Sequence, residues 1–153
     1  MNHLSQIGIE RGTYSAVKVD KRSLQCIKSL QERFISKPSN LKDIHCTVIY
    51  SRYEEIIDYP VINHMDITSN VTGFEVWEME SGKYCLVALL ESEFLSNRHL
   101  DLCERFNITP DYAIYKPHIT LSYDVSRNFN TNNLKPWLSQ VRFISEYTKP
   151  VKY

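Results

Sequence analysis

Two hexapeptides, His45-Cys-Thr-Val-Ile-Tyr50 and His118-Ile-Thr-Leu-Ser-Tyr123, carry one pattern, His-x-Thr-aliphatic-x-Tyr, in opposite halves of a 153-residue chain. Chance gives on the order of 0.3 matches to His-x-Thr in a chain of this composition, so two in matching surroundings indicate an internal duplication. The surroundings do match. Thr13 to Val19 has strand-like density of Tyr, Val and Thr after Gly12. From Lys21 to Ile35 the residues Leu24, Ile27, Leu30 and Phe34 recur at helical steps, with Asp20 placed as N-cap. Asp43 to Ser51 returns to strand character. In the second half, Val71 to Met79 and Tyr84 to Leu90 read as a hairpin around Glu80-Ser-Gly-Lys83. Ser92 to Phe106 has helical spacing, and His118 to Asp124 reads as a strand. After a Thr/Asn-rich loop at 126–133, Val141, Phe143 and Tyr147 alternate with Arg142, Ile144 and Glu146 in a last strand. Residues 52–70 are polar and irregular and carry no assignment.

Two strand-helix-strand halves predict one α+β domain over residues 1–153, with antiparallel sheets around a central cleft and helices outside. Because side chains alternate along a strand, His45 and Thr47 are expected on one face, with Cys46, Val48 and Tyr50 on the other. His118 and Thr120 are expected opposite Ile119, Leu121 and Tyr123 in the same way. Two imidazoles and two hydroxyls then converge on the cleft.

That set suits metal-free cleavage of a phosphodiester. In-line displacement needs a base on the attacking oxygen and an acid on the leaving oxygen, and histidine, with an ordinary pKa of about 6.5, can serve as either near neutrality. Thr47 and Thr120 can donate to non-bridging phosphate oxygens. Which histidine is base is open at this level. No HExxH or CxxC spacing supports a metal site, and no cofactor is expected. His3, His64 and His99 have no partner motif and read as surface or packing residues.

Lys plus Arg equals Asp plus Glu at 18 each, so the chain lacks the field that draws in long nucleic acid or an anionic membrane. A small anionic ligand fits better. Cys26, Cys46, Cys85 and Cys103 are expected to be reduced thiols. No signal peptide and no apolar run near the roughly 18 residues of a membrane span are present, so a cytoplasmic protein is expected. Aromatic side chains would recognise bases by stacking. The candidates are Tyr14, Trp77, which should share a face with Glu75, and Tyr153.

The paired motifs, and Lys116-Pro-His-Ile-Thr-Leu121 in particular, resemble those of the 2H phosphoesterase superfamily, built on a duplicated α+β scaffold. In length and neutral charge the chain looks most like the phage anti-CBASS nucleases within it. This resemblance implies opening of 3',5' linkages in cyclic di- or trinucleotides, with the ribose 2'-hydroxyl as nucleophile, in the host cytoplasm. It also implies base contacts by Tyr14 and Trp77, and by Glu146 to an adenine amino group. The competing readings are a relative acting on RNA 2',3'-cyclic ends or 2',5'-oligoadenylates, and a non-catalytic sponge for cyclic nucleotides.

Overall fold

The computed structural model describes residues 11–53, 60–112 and 114–151. Six strands, β1 (Arg11–Val19), β2 (His45–Ser51), β3 (Ile67–Glu78), β4 (Tyr84–Glu91), β5 (His118–Val125) and β6 (Gln140–Val151), form one antiparallel sheet in the order β2-β1-β6-β3-β4-β5. Helix α1 (Lys21–Phe34) joins β1 to β2, and α2 (Glu93–Arg105) joins β4 to β5.

The duplication is visible as two β-α-β-β units, β1-α1-β2-β3 and β4-α2-β5-β6, whose last strands are exchanged. β3 pairs with β4, and β6 pairs with β1. The expected pair of sheets is therefore fused into one through the short ladder between Ile67–Asn70 and Gln140–Phe143. The start of β3 lies in the stretch that carries no assignment from sequence.

Both helices begin where a side chain satisfies an orphan N–H. Asp20 accepts from Ser23 N at 2.8 Å, and Ser92 accepts from Leu95 N at 3.2 Å. Their apolar faces bury Ile27 and Leu30 of α1 and Leu95 and Leu102 of α2 against Val17, Leu86, Ile119, Leu121 and Phe143 of the sheet. Truncating any one of the larger of these to Ala would cost about 2 to 5 kcal/mol by loss of transfer energy plus the cavity left.

Of the register shifts in the sheet, three one-residue bulges overturn faces expected from regular alternation. In β2, Ser15 pairs with Ile49 but Ala16 pairs with Thr47, so Val48 is extra. In β5, Leu86 pairs with Ser122 but Val87 pairs with Thr120, so Leu121 is extra, at the same place in its motif. Val48-Ile49 and Leu121-Ser122 are consecutive buried residues, after which the alternation has reversed. Tyr50 thus returns to the face of His45 and Thr47, with its ring 6.2 Å from that of Tyr14, contrary to the regular alternation expected. The slip in β5 likewise puts Tyr123 on the face of His118, and it is felt electrostatically at Tyr14. In β6, Lys18 pairs with Ser145 and Val19 with Phe143, so Ile144 is extra. This slip corrects the expected placement of Glu146. It pairs with fully buried Val17 instead of standing on the polar face, while Tyr147 turns into the cleft.

Candidate active site

β2 and β5 are the two edges of the sheet, and they meet across the cleft. The contact is direct: the Tyr115 hydroxyl donates to Thr47 O at 2.8 Å, and the backbone of His118 reaches the Cys46 thiol. That thiol is fully buried and burial pushes its pKa up to about 12, so it is an inert packing group and no nucleophile.

The two histidines are held alike. His45 Nδ1 lies 2.6 Å from Asp43 O, and His118 Nδ1 lies 2.7 Å from Lys116 O. A carbonyl only accepts, so each ring carries a proton on Nδ1 and leaves Nε2 for chemistry. The carbonyl is in both cases that of the residue two positions earlier, so the duplicated backbone fixes both tautomers. Burial depresses the pKa of His118, the Lys116 carbonyl partly offsets this, and the charge of nearby His45 adds to the depression. His118 is thereby biased to the neutral form.

Thr47 Oγ1 donates to the Tyr14 hydroxyl at 3.2 Å. The Tyr14 ring touches those of His45, Tyr50 and Tyr147 at centroid distances of 5.8, 6.2 and 6.4 Å. Burial raises the Tyr14 pKa strongly, keeping the phenol neutral. Thr120 is half-buried on the cleft face of β5, opposite Val87. Trp77 does share a face with Glu75, whose carboxylate accepts from the indole Nε1–H at 2.7 Å, and its ring meets that of His118 at 4.6 Å. Two cations complete the floor. Lys18, the ladder partner of His45, lies 5.5 Å from the Tyr147 ring centroid, and Lys149 lies 5.2 Å from that of Tyr14.

The structure therefore brings together His45, Thr47, His118, Thr120, Tyr14 and Trp77. Glu146 is elsewhere. Its carboxylate accepts from Arg98 Nε and Nη2 at 3.0 and 2.8 Å and from Ile62 N at 3.0 Å, on the side of the sheet where α2 packs. Tyr153 lies outside the described residues. Sequence reasoning misses Tyr50, Tyr123, Tyr147, Lys18 and Lys149, and the repeated tyrosine of the motif is the one signal that points to the first two. Among the described residues no three His, Cys, Asp or Glu side chains cluster as metal ligands, and no helix is long and apolar enough to cross a membrane.

Two opposed histidine-threonine strands on exchanged β-α-β-β repeats form the fold of the 2H phosphoesterases. Solved structures agree: TT0787 of Thermus thermophilus superposes with a TM-score of 0.58 at 16% identity, covering 89% of this chain and 82% of its own. E. coli LigT, determined in complex with 3'-AMP, gives 0.53 at 12% identity, covering 95% and 96%. Within that class the chain belongs to the anti-CBASS protein Acb1 family, whose sequence profile matches residues 11–153. Anti-CBASS protein Acb1 of Vibrio phage KVP40 is 33% identical over 151 residues, 97% of this chain and 93% of the relative. The protein of the same name from Acinetobacter phage Ac42 is 37% identical over 119 residues, 76% of each.

Proposed function

We propose that this protein is a metal-independent phosphodiesterase that opens 3',5' linkages of cyclic di- or trinucleotides, and that this is its anti-CBASS activity. The observation that carries the reading is the pair of imidazoles held by Nδ1–H bonds to backbone carbonyls, with both Nε2 atoms left for acid-base work.

His118, biased to the neutral form, is the base. It takes the proton of the ribose 2'-hydroxyl, whose oxygen attacks phosphorus. As the bond to the 5'-oxygen breaks, His45 gives that oxygen a proton, which leaves a 2',3'-cyclic phosphate and a free 5'-hydroxyl. A 2'-hydroxyl fixed beside its own phosphate is already near attack geometry, a large advantage for so simple a catalyst. Thr47 turns its hydroxyl from Tyr14 to one non-bridging oxygen, and Thr120 donates to the other. Lys18 and Lys149 supply positive charge to the phosphate not being cut, and Tyr14 and Trp77 are the aromatic walls for bases.

The test is incubation with a 3',3'-cyclic dinucleotide, a 2',5'-oligoadenylate and an RNA 2',3'-cyclic end, each with and without EDTA. Linearisation of the cyclic substrate in EDTA, abolished by His45→Ala and by His118→Ala, is expected. Loss of activity on chelation, or recovery of intact ligand from a stable complex, overturns the reading.

A further inference from the structure

Behind the first catalytic motif stands a group of side chains from the other half of the molecule. His99, on α2, places Nδ1 2.6 Å from Val48 O, the carbonyl of the bulge residue. Since that oxygen accepts, the His99 proton is on Nδ1, and Nε2 faces the Cys103 thiol at 3.8 Å. The imidazole is stacked on the Tyr115 ring, centroids 4.2 Å apart and planes within 5°. The Tyr115 hydroxyl in turn donates to Thr47 O at 2.8 Å. Two consecutive carbonyls of β2, those of Thr47 and Val48, thus find partners outside the ladder to β1, where the bulge interrupts it.

The second motif is held in the corresponding place from the first half. Leu121 O, the carbonyl of its bulge residue, accepts from Gln31 Nε2 of α1 at 3.1 Å and from Ser39 N at 2.9 Å. Each bulge is therefore gripped by the helix of the opposite repeat, by an imidazole in one case and an amide in the other. Tyr115 adds a link between the motifs. It immediately precedes Lys116, whose carbonyl fixes the His118 ring, while its own hydroxyl holds the backbone of Thr47.

We propose that His99 and Tyr115 are positioning residues: stacked on one another, they hold the Thr47-Val48 bulge and so set the reach of His45 and Thr47 towards the phosphate gripped by His118. Neither touches substrate. The inference rests on the hydrolytic reading for its kinetic consequence, and on the contacts alone for its structural one. Displacing a catalytic group by about 1 Å can cost on the order of a hundredfold in rate. The bulge is the point where such a displacement would begin.

The experiment compares His99→Ala, His99→Gln and Tyr115→Phe with the full-length wild type, each confirmed folded by its melting curve. In His99→Ala and Tyr115→Phe, kcat should fall roughly 10- to 100-fold with KM within about twofold, because ground-state contacts are left in place. His99→Gln, which restores a donor as Gln31 does in the other half, should recover most of that loss. A folded His99→Ala with wild-type kcat, or a Gln variant as impaired as Ala, overturns the proposal. If His99→Ala does not fold, Tyr115→Phe, which keeps the ring stack and removes the hydroxyl's contacts with Thr47 O and the Cys46 thiol, decides. Imidazole nitrogen NMR of His45 gives a readout without substrate: its signals should shift in Ala and Phe variants and return in Gln. A wild type inactive on every substrate would count against hydrolysis only, while unshifted His45 signals would overturn the positioning role.

Discussion

The imidazole of His118 stands edge-on to the indole of Trp77, ring centroids 4.6 Å apart and planes at 69°. Burial depresses the His118 pKa, and the indole is packed against that ring. Trp77→Ala admits water, so that pKa should rise towards about 6.5 and the acid limb of the kcat/KM profile should move up with it. Stability follows the same sign. With the folded pKa below the unfolded one, the unfolded chain takes up the proton more readily. The His118 contribution is complete above about 6.5 and is lost as pH falls through the folded value. Urea midpoints measured stepwise below that pH should drop more steeply for wild type than for Trp77→Ala. An unmoved acid limb would show that the indole does not tune the base.

Lys18 and Lys149, leaning on the rings of Tyr147 and Tyr14, are the cations of the cleft floor. Their double replacement by Ala should raise KM about tenfold with little change in kcat, since the charge acts on a phosphate that is bound but not cut. Wild-type kcat/KM should fall with added salt and that of the variant much less. Equal salt dependence of the two proteins would remove these lysines from substrate binding.

The meeting of His45, Thr47, His118 and Thr120 on one face is legible in the sequence because His-x-Thr needs only period-two alternation, and alternation holds up to the third residue of each motif. It fails at Val48, Leu121 and Ile144, where one inserted residue reverses the side chains that immediately follow. Nothing in the composition of Val48-Ile49 or Leu121-Ser122 announces such a slip. Unbroken alternation accordingly puts Tyr50, Tyr123 and Tyr147 on the core side and Glu146 in the cleft, the reverse of what the bulges produce. His99 escapes a sequence reading for a different reason: its value lies in a contact between α2 and β2, and no local pattern reports which helix packs on which strand. The duplication does constrain the topology, but the exchange of β3 and β6 depends on pairing between distant residues such as Val17 and Glu146.

Glu146 and Arg98 form a two-pronged ion pair with side-chain exposures of 0% and 11%, and they tie Pro60 and Ile62 to β6. Glu146→Ala leaves a buried guanidinium uncompensated and should cost about 3 to 5 kcal/mol in urea denaturation. Arg98→Ala should be comparably severe. If Glu146 instead read an adenine, Glu146→Gln would alter KM between adenine and guanine substrates while leaving the denaturation curve in place.

Gly12 has φ +77°, and a Cβ built on it would collide with Ser51 O. Gly12→Ala therefore combines left-handed strain with a backbone clash and should cost at least about 1 kcal/mol. The clash sits two residues before Tyr14, so a raised KM should accompany the lowered melting temperature. A variant as stable as wild type would mean that β1 can slide at its start.

The exchange of closing strands makes the two repeats inseparable. A fragment ending after β3 would hold β1 and β2 without the neighbour that completes β1, together with a strand whose own mate had been removed. No half-molecule can preserve a competent motif. The opposition of His45 to His118 is written into neither repeat, and comes into being only when the whole chain has closed on itself.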